Sequence, residues 1–206
     1  MTVLPLCVLI SVFSTPIITL LFGSVYTPGA GVLSILVIGM SFYSIYMICS
    51  SILQGTGNPR LPMIILLLGT ALNVILNAVL VYNKGIIGAA IGTTLTTFIL
   101  MVVIMYFVIK NTKISIPWKN ILLILTANVI LTLVCLIIPK SIIGSIIGLI
   151  LGSLIYIIAL IMLKVLTKRD LNFFAQYLNK IPLIKGYSEK IVKYIEKKEL
   201  IYKIED

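Results

Sequence analysis

Ser51-Ile-Leu-Gln-Gly-Thr-Gly-Asn-Pro-Arg60 stands between two long apolar runs, and the second of these opens on Pro62. Two glycines, an asparagine and a proline crowded together end a helix and forbid its continuation, so the stretch reads as a charged turn between helices. The flanking runs, roughly 29–53 and 61–82, each meet the requirement of about 20 apolar residues for a helix crossing a hydrocarbon core. The turn thus joins two membrane helices, with Gln54, Gly55, Gly57, Pro59 and Arg60 as its punctuation.

Composition extends that reading to the whole chain. Of 206 residues, 60% are hydrophobic and 11% charged, with a mean hydropathy of +1.20; a soluble domain carries about 25% charged residues. Four more segments are long and apolar enough to span, at roughly 3–22, 86–109, 119–138 and 141–163. The sequence therefore predicts an all-α polytopic membrane protein with a six-helix transmembrane domain over 1–163 and a separate tail over 164–206. Breaks are expected at Gly23 to Pro28, Asn83-Lys84-Gly85, Lys110 to Pro117 and Pro139-Lys140, with a kink at Pro16 whose freed carbonyl a neighbour or a Ser/Thr side chain satisfies. Segment 3–22 lacks a basic start and a small-residue cleavage site, so it reads as a spanning helix and not as a removed signal.

Charge sets the orientation. Residues 1–163 hold Arg60, Lys84, Lys110, Lys113, Lys119 and Lys140 and no acid, while all six acids lie from Asp170 onward. Arg60, Lys110, Lys113, Lys119 and the group after 163 fall on one side, leaving only Lys84 and Lys140 opposite, so both termini are expected in the cytoplasm of a multi-pass cytoplasmic-membrane protein. Trp118 and Tyr106 on one side, with Tyr26 and Tyr82 on the other, suit an interfacial aromatic belt or simple gap filling. The tail carries Lys and Arg opposite apolar residues. Asp170 and Ser188 can cap two short helices in it, and it reads as lying on anionic membrane lipids, with no nucleic-acid motif.

Polar residues inside a membrane are costly unless they face protein or water. Thr70, Asn73 and Asn77 recur at helical spacing on one arc of segment 61–82, and Ser34, Ser41, Ser44 and Ser51 form a hydroxyl stripe on 29–53. Two readings stay open: inter-helix hydrogen bonds, or the lining of a path for sugars, with Thr70, Asn73, Asn77, Ser41 and Ser44 as its candidates. Glycines mark packing faces, with Gly85, Gly88, Gly92 and Thr96 on 86–109 and Gly144, Gly148 and Gly152 on 141–163. The chain has no His, and Cys7, Cys49 and Cys135 are isolated on separate apolar segments, so neither a metal site, a cofactor nor acid–base catalysis is expected.

In order, Leu21-Phe-Gly23, Leu53-Gln-Gly-Thr-Gly-Asn-Pro59, Pro62 with Asn73 and Asn77, Gly85-Ile-Ile-Gly-Ala-Ala running to Thr93, and Thr167-Lys-Arg-Asp170 form a series. That series resembles the C-terminal part of the multidrug/oligosaccharidyl-lipid/polysaccharide flippase superfamily, in its polysaccharide-biosynthesis branch, most closely over about 20–110. The resemblance implies the last six of fourteen helices, and a flippase moving lipid-linked oligosaccharide or polysaccharide precursors by alternating access. It also implies an N-terminal lobe as partner, which this sequence does not contain. The family's basic cavity residues have no mid-membrane counterpart, because Arg60, Lys84 and Lys140 sit at helix ends. Two rival readings are a multidrug-type antiporter fragment, which the missing carboxylates disfavour, and a non-transporting membrane scaffold.

Overall fold

A computed structural model describes residues 3–112, 118–139 and 141–162. Lys113, Pro117, Lys140 and the expected tail helices lie outside the described residues. The elements are α1 (Val3–Val12), α2 (Ser14–Phe22), a 3-10 helix (Ser24–Gly29), α3 (Ala30–Gly55), α4 (Arg60–Thr112), α5 (Trp118–Ile137) and α6 (Ile142–Met162), with no strand among the described residues. The stretches Ser24–Gly55, Arg60–Thr112 and Asn120–Ile137 are long and apolar enough to cross a membrane, and the bent pair α1 and α2 makes a fourth. The outer surface agrees with this. Leu67, Leu68, Val74 and Ile75 on α4 are all exposed, a distribution that lipid accepts and water does not.

The run Arg60–Thr112 is not one rod. Gly85 takes φ +57° and ψ −139° and splits it into a first limb, 60–84, and a second limb, 86–112. Leu80 lies against Gly88, Asn77 against Gly92, Asn73 beside Thr96, and Gly69 against Leu100. Descending numbers on one limb meet ascending numbers on the other, so the limbs form an antiparallel hairpin. Each limb has about 25 residues, roughly 37 Å at the helical rise, enough for a hydrocarbon core of about 30 Å. The expected three-residue break at 83–85 thus narrows to Gly85 alone, the one residue type that takes positive φ without a Cβ clash.

The turn between α3 and α4 is a Schellman cap. Asn58 N–H donates to the Leu53 carbonyl at 3.0 Å and Gly57 N–H to the Gln54 carbonyl at 3.1 Å, with Gly57 at φ +85°. Pro59 then blocks continuation, and Pro62 falls in the first turn of α4, where its missing N–H costs no intrahelical bond. Gln54 reaches back to Ser50 at 2.9 Å, and the Thr56 hydroxyl donates to the Leu53 carbonyl at 3.0 Å.

The chain divides into two compact units, residues 1–116 with 132–149, and 117–131 with 150–206. In the first, α3 packs along the second limb of α4. The Thr94 hydroxyl donates to the Ile35 carbonyl at 2.9 Å, Gly39 leaves room for Thr94 and Thr97, and Phe42 meets Phe98 edge-on at 5.2 Å. Numbers rise together on the two helices, so they run parallel. The core at one end joins Tyr46, Cys49 and Leu53 to Ile65, Leu100, Ile104 and Val108. Tyr46 is 2% exposed, and its hydroxyl donates to the Pro62 carbonyl at 2.9 Å, which satisfies the one polar atom that burial would strand. In the second unit, Ala127, Asn128, Tyr156, Ala159 and Leu160 are buried, and Asn128 donates to the Ile124 carbonyl at 2.8 Å.

Pro16 acts as the sequence leads one to expect, with its break displaced by three residues. The helix interrupts at Phe13, and α1 and α2 meet at a bend of 75°. A proline at 16 has no N–H to give the carbonyl of residue 12, so the interruption falls one turn earlier than the ring itself.

Candidate functional site

The hairpin brings a group of neutral polar side chains into its seam. Asn73 and Asn77 on the first limb stand one turn apart, and the Asn77 side-chain amide donates to the Asn73 side-chain oxygen at 3.0 Å. The Asn73 amide in turn lies 3.4 Å from the Thr93 hydroxyl and 3.3 Å from the Thr96 hydroxyl across the seam. Thr96 is buried and donates to the Gly92 carbonyl at 2.9 Å. The Asn77 side-chain oxygen is buried without a partner among the described residues, and it sits where a Cβ on Gly92 would be. Gly92 is therefore bare because an amide occupies its side-chain volume.

The remaining path candidates go elsewhere. Thr70 is exposed, bonds its own Leu66 carbonyl at 2.9 Å, and lines an outward hollow with Met63, Leu66, Leu67, Ala71 and Val74. Ser41 is buried on the Ile38 carbonyl at 2.6 Å, and Ser44 bonds the Met40 carbonyl at 2.9 Å, so both are closed on their own helix. The polar arc read from the sequence thus separates in space, with the asparagines turned into the seam. The turn residues hold a shallow hollow lined by Gly57, Asn58, Pro59, Arg60, Leu61 and Ile64.

Glycines show the same division. Gly88 lies against the Leu80 backbone carbonyl, Gly144 against the Pro139 carbonyl, and Gly148 against the Phe13 ring; Gly152 is buried, while nothing approaches Gly85, whose part is the bend. Three features escaped the sequence reading: Thr94 and Thr97, Tyr46 on Pro62, and the bond between Ser34 and α1. The dense run Gly92-Thr-Thr-Leu-Thr-Thr97 held the signal for the first, because that many hydroxyls on a spanning helix need partners.

The pairing of the limbs also sorts the charges. Arg60 opens the first limb and Lys110 lies near the end of the second, so both sit at one end of the hairpin, and Lys84 sits at the other. Among the described residues between those ends, the hairpin carries no ionisable acid or base beyond tyrosine.

A helical membrane bundle with a neutral polar seam is the class that these observations define. Residues 1–79 match the family model MatE, so the likeness to the multidrug/oligosaccharidyl-lipid/polysaccharide flippase superfamily holds for that part of the chain. The matched part runs through the turn at 55–60 and takes in Asn73 and Asn77, ending before Thr93 and Thr96. The chain is 38% identical over 108 residues to uncharacterized membrane protein MJ1068 of Methanocaldococcus jannaschii, covering 52% of this chain and 21% of that protein. It is 36% identical over 81 residues to MJ1375 of the same organism, covering 39% and 20%. A third relative, from Haloferax volcanii, is described as the probable low-salt glycan biosynthesis flippase Agl15, with 37% identity over 87 residues, 42% of this chain and 18% of that one. The matches span about a fifth of the length of these curated relatives. No solved structure matches the chain.

Proposed function

We propose that the chain forms one lobe of a flippase that moves lipid-linked oligosaccharide or polysaccharide precursors across the cytoplasmic membrane. In this reading the bent pair, α3, the two limbs of α4, α5 and α6 make six passes, both termini face the cytoplasm, and the basic tail lies on the inner leaflet. A second, N-terminal lobe completes the cavity, and rocking of the lobes gives alternating access while the lipid tail stays in the bilayer. The observation that carries the reading is the 37% identity to a relative described as a glycan biosynthesis flippase. The neutral seam supports it chemically. Sugar hydroxyls need uncharged donors and acceptors, and the Asn73 bonds at 3.3 and 3.4 Å are longer than the common N–H···O distance of about 2.9 Å, so a substrate hydroxyl can replace them at small cost.

The test is the double variant Asn73→Ala/Asn77→Ala in an assembly complemented with an N-terminal lobe. Each inter-helix hydrogen bond in a membrane contributes about 0.6 kcal/mol. Thermal stability should therefore fall only slightly, while transport of a labelled lipid-linked sugar falls sharply. Normal transport beside lowered stability would make the two asparagines structural and remove them from the path.

A further inference from the structure

We propose that α2 is a hinged arm, pivoting at Phe13 and latched in its bent position by the hydroxyl of Ser34. The inference needs only the fold and holds whether or not the lobe transports sugars.

Pivot, arm and latch each have their own observation. The pivot is fixed: Phe13 is 0% exposed, and its ring lies against Gly148, which has no side chain to displace it. Its backbone, at φ −97° and ψ 21°, leaves the helical range there. The arm is lightly held. Only Ser14 and Pro16 of α2 are buried, while Leu20, Leu21 and Phe22 are 59, 66 and 62% exposed. Its far end is a second backbone joint, Gly23 at φ +91° and ψ 168°, with nothing within 4 Å of its Cβ position. Joints at both ends of a sparsely packed helix are what a rigid-body swing requires.

The latch is one side chain. The Ser34 hydroxyl lies 2.9 Å from the Ser11 carbonyl and 2.7 Å from the Ser14 hydroxyl, so it ties the last turn of α1 to the first turn of α2. The Ala30 carbonyl on its own helix is 3.1 Å away. Having a single proton, Ser34 can exchange the bond across the break for the bond within α3 without leaving a donor unsatisfied. In apolar surroundings that exchange lets the latch open without exposing a bare hydroxyl. Closed, it bonds the Ser11 carbonyl, the neighbour of the residue 12 carbonyl that Pro16 leaves without an N–H donor.

Two spin labels measure the angle. With Cys7, Cys49 and Cys135 replaced by alanine, nitroxides at positions 3 and 21 of the full chain report the end-to-end length of the pair. At a rise of 1.5 Å per residue, a 75° bend gives a backbone separation of roughly 21 Å and a straight helix roughly 27 Å. In lipid, the parent chain should show mainly the shorter distance. Ser34→Ala should shift population to the longer one, and Ser34→Thr, which keeps the hydroxyl, should not. Pro16→Ala restores the N–H that a continuous helix needs and should give the same shift with the latch intact, so the idea stays open to test even if Ser34→Ala folds poorly. A single, unchanged short distance in Ser34→Ala and Pro16→Ala would show the break to be rigid and overturn the proposal. Failure of the assembled lobes to transport sugar, beside distances that shift as expected, would sink the proposed function and leave the hinge standing, because the readout is the angle.

Discussion

Replacing Gly88 by alanine should destabilise the protein, although alanine is the better helix former. An added Cβ at 88 would run into the carbonyl oxygen and carbon of Leu80, which are backbone and cannot rotate away. The limbs must separate. Alanine gains about 0.8–1 kcal/mol over glycine inside a helix, whereas forcing an extra carbon into a packed interface costs about 1–3 kcal/mol. The net is a loss of up to about 2 kcal/mol, which at roughly 2–4 °C per kcal/mol for a chain of this size lowers Tm by several degrees. Gly31→Ala is the matched control, because nothing lies within 4 Å of its Cβ position, and there the helix propensity acts alone. Three free, buried cysteines supply the assay: a thiol-reactive dye reports unfolding in detergent as Cys7, Cys49 and Cys135 become reachable. Gly88→Ala should melt below the parent and Gly31→Ala at or above it. Equal melting of the two variants would mean that residues 80 and 88 are not in contact and that the limbs do not pair as this hairpin.

Two further outcomes follow from the ends of the hairpin. Gly57→Ala, at φ +85°, should cost about 1–2 kcal/mol through left-handed backbone strain, while Gly55→Ala, in the last turn of α3 with open space around it, should melt at or slightly above the parent in the same dye assay; equal effects would refute the Schellman geometry. Single cysteines at 84 and 110 in a cysteine-free background should differ in intact cells, with an impermeant maleimide labelling 84 and sparing 110. Labelling of 110 from outside would invert the proposed topology.

Helix positions were legible in the sequence because their cause is local. Apolar length, the Gly57-Asn58-Pro59 stop and Pro62 act within a few residues, and the structure ends α3 at Gly55 and restarts at Arg60. Pro16 was legible as a break but not to the residue, because the lost bond belongs to the carbonyl four positions back. Direction around a helix was harder to read. Thr70, Asn73 and Asn77 share an arc by periodicity, yet only the asparagines enter the seam, because the partner limb covers part of that arc and the sequence does not record how wide its cover is.

Contacts between distant segments were the least legible, and they carry most of the specificity. Gly92 has the same spacing as any small-residue face, but its neighbour is the amide of Asn77 and not a bare backbone. That difference changes what a substitution means. A side chain at 88 presses on backbone and must part the limbs, whereas one at 92 presses on a rotatable amide and can turn Asn77 out of the seam, taking with it the bond that Asn77 gives to Asn73. The two glycines, identical in the sequence pattern, thus guard different things: Gly88 the distance between the limbs, Gly92 the orientation of the asparagine pair on which the proposed sugar path depends.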